Sequence, residues 1–224
     1  MAEGKSKGNF EFPETDVTLV VEDEKIHVNK AVLSQHSPVF NTMFSGSFKE
    51  STAKEITLHN KKAKDVIEFL RCFYPNMEYA ITGHNVLQVL PLAHEYQSPL
   101  VADCENFMIS KCNPDTDITV ETLLDYILAA EKFDLQKFLD TAVEFCSRVD
   151  FDHLQGKTIE RKQVYKKGWV YEVQETEHIS SKFAKMKIKT QLAISVKRLQ
   201  VLEINKRKAK NNETTEEDHV LMLS

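Results

Sequence analysis

Apolar and polar residues trade places with two distinct periods along this chain, and the switch between them marks out the elements. Asp16-Val17-Thr18-Leu19-Val20-Val21 is a β-branched run, and Lys25-Ile26-His27-Val28 follows after the charged turn Glu22-Asp23-Glu24. Two such runs joined by a short polar turn predict a β-hairpin. The period then lengthens. Ala31, Val32 and Leu33, then Val39, Phe40, Met43 and Phe44, keep helical spacing with a break at Ser37-Pro38. Proline fits the first position of a helix and serine caps it, so two short helices are predicted there. Lys54-Glu55-Ile56-Thr57-Leu58-His59 alternates again and reads as a third strand.

A run of helices follows. Val66, Ile67, Leu70, Phe73 and Tyr74 form one stripe that stops at Pro75-Asn76. Residues 85–96 are helical, with Pro91 expected to remove a hydrogen bond and bend the helix. Ser98-Pro99 opens a helix whose inner face is Leu100, Val101, Cys104, Phe107 and Met108. Beyond Asn113-Pro114 one helix carries Leu123, Leu124, Ile127 and Leu128, and the next Leu135, Phe138, Ala142, Phe145 and Cys146. The helix pairs echo each other, Leu92-Ala93-His94-Glu95-Tyr96 matching Ala129-Ala130-Glu131-Lys132-Phe133. A hairpin, two helices, a strand and then helices predict an α+β fold in which a small sheet is covered by helices.

Charge divides the chain where that pattern ends. Residues 1–154 hold 14 Lys+Arg against 25 Asp+Glu, residues 155–210 hold 15 against 5, and residues 211–224 hold four acids and no base. So sharp a change of sign places a boundary near Leu154–Gly156. Either two solvated surfaces attract each other within the molecule, or the basic segment serves a partner. Within it, Lys166-Lys167-Gly168 reads as a hairpin turn between Gln163-Val164-Tyr165 and Trp169-Val170-Tyr171. Ile188, Leu192, Val196, Leu199 and Leu202 recur at steps of four and three, an amphipathic helix expected to pack on the helices before it, or else to face a substrate. The alternation Lys185-Met186-Lys187-Ile188-Lys189 suits a strand equally well. Lys206-Arg207-Lys208-Ala209-Lys210 resembles a nuclear-import signal, or is a solvated helix end.

The 224 residues are 42% hydrophobic, with thirteen Phe, enough for a real core and against wholesale disorder. Only six glycines occur, and no glycine-rich phosphate loop. No run of eighteen apolar residues would span a bilayer, and residues 1–8 lack the apolar stretch of a signal peptide. Cys72, Cys104, Cys112 and Cys146 form no C-x-x-C pair and lie in helical apolar patterns, which predicts reduced thiols in a cytoplasmic or nuclear protein. Eight His give no H-E-x-x-H and no zinc spacing; His27 reads as a strand residue and His94 as a helix residue. Ser34, Ser37 and Ser45 lack the G-x-S-x-G of a nucleophile elbow. The expectation is no catalytic residue, no metal and no cofactor, and nucleic acid is a minor reading with only Tyr165, Trp169 and Tyr171 near the cations.

Asp16 to Val21, then Val28-Asn29-Lys30-Ala31-Val32-Leu33-Ser34-Gln35-His36-Ser37-Pro38-Val39-Phe40 and Met43-Phe44, with Leu92 to Tyr96 and the Cys104 helix behind them, resemble a BTB/POZ domain. The resemblance covers about residues 14–112, and the helices of 113–154 resemble the 3-box or BACK region of cullin-3 adaptors. Asn29 departs from the family's usual His before Lys-Ala, and no helix-length apolar stretch precedes Asp16, where dimerising members often add an element. The resulting organisation is a flexible 1–13, a BTB/POZ domain at 14–112, a 3-box/BACK-like pair at 113–154, a basic segment at 155–210 and an acidic tail at 211–224.

The resemblance implies a protein-interaction module rather than an enzyme. In this family a hydrophobic residue, any residue and Glu after the Met-Phe pair matter most for cullin binding, and Phe48-Lys49-Glu50 stand there. It also implies a homodimer through residues 30–44, with Val32 and Val39 at the interface. The leading expectation is an adaptor that recruits cullin-3 and holds a protein substrate beyond residue 154. The rivals are a self-association scaffold or transcriptional co-regulator, and a channel-associated tetramerisation domain, which the helix pair after 112 disfavours.

Overall fold

The computed structural model describes residues 10–11, 15–46, 48–75, 77, 79–154, 158–166, 169–178 and 181–221. The chain divides into two compact units, 1–107 and 108–224. The first is built on a four-stranded sheet of order β1-β3-β2-β4, with β1 Phe10–Glu11, β2 Val17–Val21, β3 Glu24–Val28 and β4 Glu55–Thr57. The expected hairpin pairs β2 and β3 antiparallel from Val17 opposite Val28 to Val21 opposite Glu24. Glu22 makes the turn at φ 55°, a left-handed conformation that few side chains adopt. Alternate residues of a strand share a face, so Val17, Leu19, Val21, Ile26 and Val28 all turn inward and are buried. The third strand appears as β4, shorter than 54–59 and parallel to β2. β1 pairs parallel to β3 inside the stretch expected to be flexible; the rest of 1–13 lies outside the described residues.

Two short helices follow as the sequence predicts, α1 Lys30–His36 and α2 Pro38–Ser45. Asn29 caps α1 by accepting from the Val32 N–H at 3.1 Å, while its own backbone N–H donates to the Tyr74 hydroxyl. Ser37, wholly buried, caps α2 by accepting from the Phe40 N–H at 3.1 Å and donates its hydroxyl to the Tyr96 carbonyl at 2.6 Å. The capping residue of α2 thereby also anchors the helix to a carbonyl 59 residues away.

α3 runs Ala63–Arg71, α4 Val86–Glu95 and α5 Leu100–Lys111. α3 ends at Arg71, short of the expected Pro75, and the chain runs on in tighter turns, the Cys72 and Phe73 N–H groups donating to the Phe69 and Leu70 carbonyls at 3.3 and 3.2 Å. Phe73 and Tyr74 are nevertheless buried, with Phe73 stacked on His36 at 4.9 Å and edge-on to Phe69 at 5.1 Å. α4 continues through Pro91 to Glu95 and closes with Gln97 at φ 51° and the Ser98 N–H donating to the Ala93 carbonyl at 2.8 Å. Phe40 stacks on Tyr96 at 4.4 Å and Phe69 lies 5.8 Å from the same ring, so α2, α3 and the end of α4 share one aromatic cluster.

The second unit holds α6 Val120–Phe133, α7 Gln136–Cys146, α8 Phe151–Leu154, the antiparallel hairpin β5 Thr158–Lys166 and β6 Trp169–His178, α9 Ser181–Lys185 and α10 Ile188–Leu221. The expected turn at 166–168 falls at Lys167 and Gly168, which lie outside the described residues. Asp134, at φ 56°, stops α6 in the left-handed conformation. Leu123, Leu124, Ile127, Phe138, Ala142 and Cys146 are buried as the stripes predict, while Leu128 and Phe145 are only half-buried. Glu131, absent from any apolar stripe, is buried because both its carboxylate oxygens accept from the Lys187 N–H at 2.9 Å. Among the described residues no helix is long and apolar enough to cross a membrane.

One expectation is overturned in this unit. Of the two expectations for the stripe of Ile188, Leu192, Val196, Leu199 and Leu202, packing on the preceding helices fails, since all five side chains are exposed, while the alternative that it faces a partner stands. The helix docks by its other side. Thr190 and Ile194 are buried, Lys197 pairs with Glu144 at 2.7 Å, and Arg198 donates to the Val149 carbonyl with its guanidinium 5.5 Å from the Phe151 ring. Polar anchors to helix ends hold this side where apolar periodicity alone points the wrong way. The strand alternative for 185–189 also fails, since α9 and α10 flank a two-residue break there.

All four cysteines are free thiols. Burial pushes Cys72, Cys104 and Cys146 up to about 12 and Cys112 to about 11, from 9.0. Burial likewise raises Tyr74 and Tyr96 from 10.0 to about 12. Each group holds its proton more tightly folded than unfolded, so its contribution is full below pH 9–10 and is lost as pH rises toward 12. The urea midpoint is expected to hold steady to about pH 9 and then fall; a midpoint unchanged to pH 11 would contradict this. Iodoacetamide at neutral pH should label the native chain slowly and all four thiols promptly in denaturant.

Candidate functional site

The first unit carries an apolar groove of about 460 Å³ lined by Pro38, Val39, Thr42, Met43, Phe48, Glu50 and Gln97. One wall is the outer side of α2. Phe40 points the opposite way into the core, so successive turns of the helix show Pro38-Val39 and Thr42-Met43 to the groove. Thr42 donates its hydroxyl to the Pro38 carbonyl at 2.9 Å, which satisfies that group within the helix.

The facing wall is Phe48 and the single 3-10 turn Lys49–Ser51. Phe48 is 55% exposed, a large apolar side chain standing in water. Its ring is packed against Gly46: a Cβ at that position would sit 2.7 Å from Phe48 Cδ2 and 3.0 Å from Cε2. A residue with any side chain at 46 would therefore displace the ring. The turn is closed by the Ser51 N–H and hydroxyl, which donate to the Phe48 carbonyl at 3.1 and 2.7 Å. Lys30 reaches across from α1 and donates its ammonium to the Ser51 carbonyl at 2.7 Å, 5.5 Å from the Phe44 ring. Glu50 is half-buried at the rim, and its carboxylate has no hydrogen bond or ion pair among the described residues.

Two of the three residues expected to contact the partner thus meet in one place. Phe48 and Glu50 line the groove; Lys49 is exposed beside it and is not part of its lining. The two expected dimer residues are separated. Val39 shares the groove with Phe48, whereas Val32 is half-buried on α1 and outside it. The sequence reading missed Lys30, Gly46 and Gln97. Gly46 had a signal, as one of only six glycines and two residues before Phe48. Lys30 and Gln97 had none, because both act through tertiary placement.

Such a groove can receive an apolar ridge of a partner, with Glu50 offering a carboxylate to a donor at its edge. Among the described residues the groove offers no set of groups matched to proton-transfer or nucleophilic chemistry. His27 is bonded to the Thr18 hydroxyl across β2 and β3 at 3.0 Å, His94 is exposed on α4, and no cluster of metal-ligating residues occurs among the described residues. Gly46→Ala is expected to shift the Phe48 ring and weaken partner binding several-fold while the melting temperature stays within a few degrees. Gly46 has φ −85°, which alanine adopts freely, and beyond the ring its Cβ would meet the Thr42 carbonyl oxygen at 3.1 Å, relieved by a shift of a few tenths of an ångström. Isothermal calorimetry paired with thermal melting checks both halves.

Residues 10–112 match the family model of the BTB/POZ domain. The BTB and MATH domain-containing protein 15 of Caenorhabditis elegans is 42% identical over 98 residues, 43% of this chain and 35% of that protein. The Kelch repeat and BTB domain-containing protein A55 of vaccinia virus is 25% identical over 123 residues, 54% of this chain and 21% of its own. Kelch-like protein 7 of Rattus norvegicus is 29% identical over 131 residues, 58% of this chain and 21% of its own. The match therefore spans about a third of the length of these relatives or less.

Proposed function

We propose, from the premise that residues 10–112 are a BTB/POZ domain, that this chain is an adaptor which recruits cullin-3 through the groove between α2 and the 48–51 turn. Phe48 fills an apolar pocket of the cullin, and Glu50 fixes its orientation through a donor on the cullin. The observation that carries the reading is the pairing of a half-exposed Phe48 with a Glu50 that has no partner among the described residues, both on one groove, at the position the family resemblance marks for that contact. The chain acts by holding proteins together, without catalysis of its own. Residues beyond 154 hold a protein substrate, and the adaptor works in the cytoplasm, the nucleus or both.

Calorimetry of the full chain against the purified N-terminal region of cullin-3 tests this. Saturable binding with one site per chain is expected; absence of heat at tens of micromolar, with no retention in a pull-down, would overturn it.

A second reading takes its support from Val39. That residue belongs to the surface expected for homodimerisation, yet it lines the same groove as Phe48. In this reading the groove is closed by a second copy, and the chain is a self-association scaffold or transcriptional co-regulator. A two-fold contact is self-complementary, so Val39 would face its own copy near the axis. Light scattering separates the two readings. A dimer that persists when cullin binds supports the adaptor, and a dimer that dissociates or blocks cullin supports the scaffold.

A further inference from the structure

Six large apolar side chains of α10 stand in solvent: Ile188 at 82%, Leu192 at 61%, Val196 at 46%, Leu199 at 62%, Leu202 at 52% and Ile204 at 51% exposure. Exposed apolar residues on a monomer are ordinarily scattered singly. Here the first five recur at steps of four, four, three and three, which confines them to about 120° of the helix over roughly 21 Å. Thr190 and Ile194, which dock the helix, lie on the opposite side.

Charge of mostly one sign accompanies the seam, with Glu203 the one acid within it. Residues 188–209 contain Lys189, Lys197, Arg198, Lys206, Arg207 and Lys208 against a single acid, Glu203. Lys197 and Arg198 are engaged within the unit by Glu144 and the Val149 carbonyl. Lys189 and Arg207 border the seam and Lys206 continues it by a turn; all three are exposed, with no hydrogen bond or ion pair among the described residues, while Lys208 falls on the docking side. We propose that this face of α10 docks an acidic amphipathic helix of a partner protein, whose apolar ridge lies on the seam and whose carboxylates meet those three cations.

The alternatives fit the same residues less well. A second copy packed parallel would set Lys206 against itself. Packed antiparallel, stripe on stripe, it would set Lys206 near the other copy's Lys185–Lys189 end. Both place like charges together. A membrane surface favours a broad apolar face with Trp or Phe, whereas this seam is narrow, lacks aromatics and includes Glu203. A narrow stripe at four-three spacing is the geometry that a second helix fills. The inference is independent of the cullin reading, since no residue of the groove in the first unit takes part.

Fluorescence anisotropy of the full chain with a labelled eighteen-residue helical peptide, Leu at the same four-three steps and Glu on its flanks, tests it. Saturable binding is expected, at least tenfold weaker for the same peptide with Lys in place of Glu. The pair Leu192→Ser and Leu199→Ser should weaken it tenfold or more. Lys189→Glu with Lys206→Glu should weaken it several-fold and flatten its dependence on salt. Circular dichroism accompanies both variants; if the serine pair loses helix, the charge-reversed pair, which keeps the seam, decides. Equal binding of the acidic and basic peptides, or binding untouched by both variants, overturns the proposal. So does Leu199-dependent dimerisation without peptide binding, or Leu199-dependent pelleting with phosphatidylserine vesicles in its place.

Discussion

Phe48→Ala is expected to weaken cullin-3 binding by about 2 kcal/mol or more, roughly thirtyfold, and to leave the melting temperature unchanged. The size follows from what the ring is: an aromatic side chain, 55% exposed in the free chain, that the proposed complex would desolvate. The unchanged fold follows from the same exposure, because a side chain already half in water leaves no cavity when truncated. Glu50→Ala should cost less, about 1 kcal/mol, as a rim charge does unless it is fully desolvated. Lys49→Ala should be near neutral, because Lys49 lines no part of the groove. That order, Phe48 above Glu50 above Lys49, is a sharper demand than any single loss. Calorimetry on the three variants reads it, with melting curves of the same samples. Normal binding by Phe48→Ala would remove the main support for the adaptor reading and leave the self-association scaffold.

The parts of this fold that could be read from sequence are those decided locally. The hairpin is fixed by alternation on either side of a charged turn, and α2 by the Ser37-Pro38 start, whose capping bond the structure contains. What could not be read depends on residues far apart. Phe69 lies outside the apolar stripe Val66, Ile67, Leu70, Phe73 and Tyr74, yet it is buried, with Phe73 and the Tyr96 ring beside it. Glu131 looks like a surface residue by composition and is buried by two backbone hydrogen bonds from Lys187. The α10 stripe failed for the converse reason. Periodicity shows that a helix has an apolar side, but Glu144 and the Val149 carbonyl, which select the side that docks, lie about fifty residues away. The site divides in the same way: Phe48 and Glu50 are legible as a pattern, whereas Lys30, which pins the far end of their turn at the Ser51 carbonyl, is visible only in space.

Phe40→Ala is expected to be the most damaging single change in the first unit, at about 3–5 kcal/mol. Phe40 is 1% exposed, and its ring lies 4.4 Å from Tyr96 and 5.8 Å from Phe44, so truncation opens a cavity walled by aromatic rings that cannot collapse into it. A domain of this size holds about 5–15 kcal/mol in all, so the variant sits near the edge of folding. At roughly 4–8 °C per kcal/mol for a domain of about a hundred residues, scanning calorimetry should show the melting point lowered by some 15 °C or more. Phe40→Leu, which keeps most of the volume, should cost under half as much. The contrast with Phe48 is the stronger test of the site, because the two rings stand on either side of the same wall. Phe40 holds α2 to the core from beneath, and Phe48 faces the groove that α2 presents above. Binding by Phe40→Ala measured at 10 °C, where the folded form still dominates, should therefore fall within a few-fold of wild type, while Phe48→Ala loses binding at every temperature. If Phe40→Ala instead lost binding with its fold intact, α2 would be repositioned by the cavity, and the groove would depend on the aromatic cluster beneath it rather than on Phe48 alone.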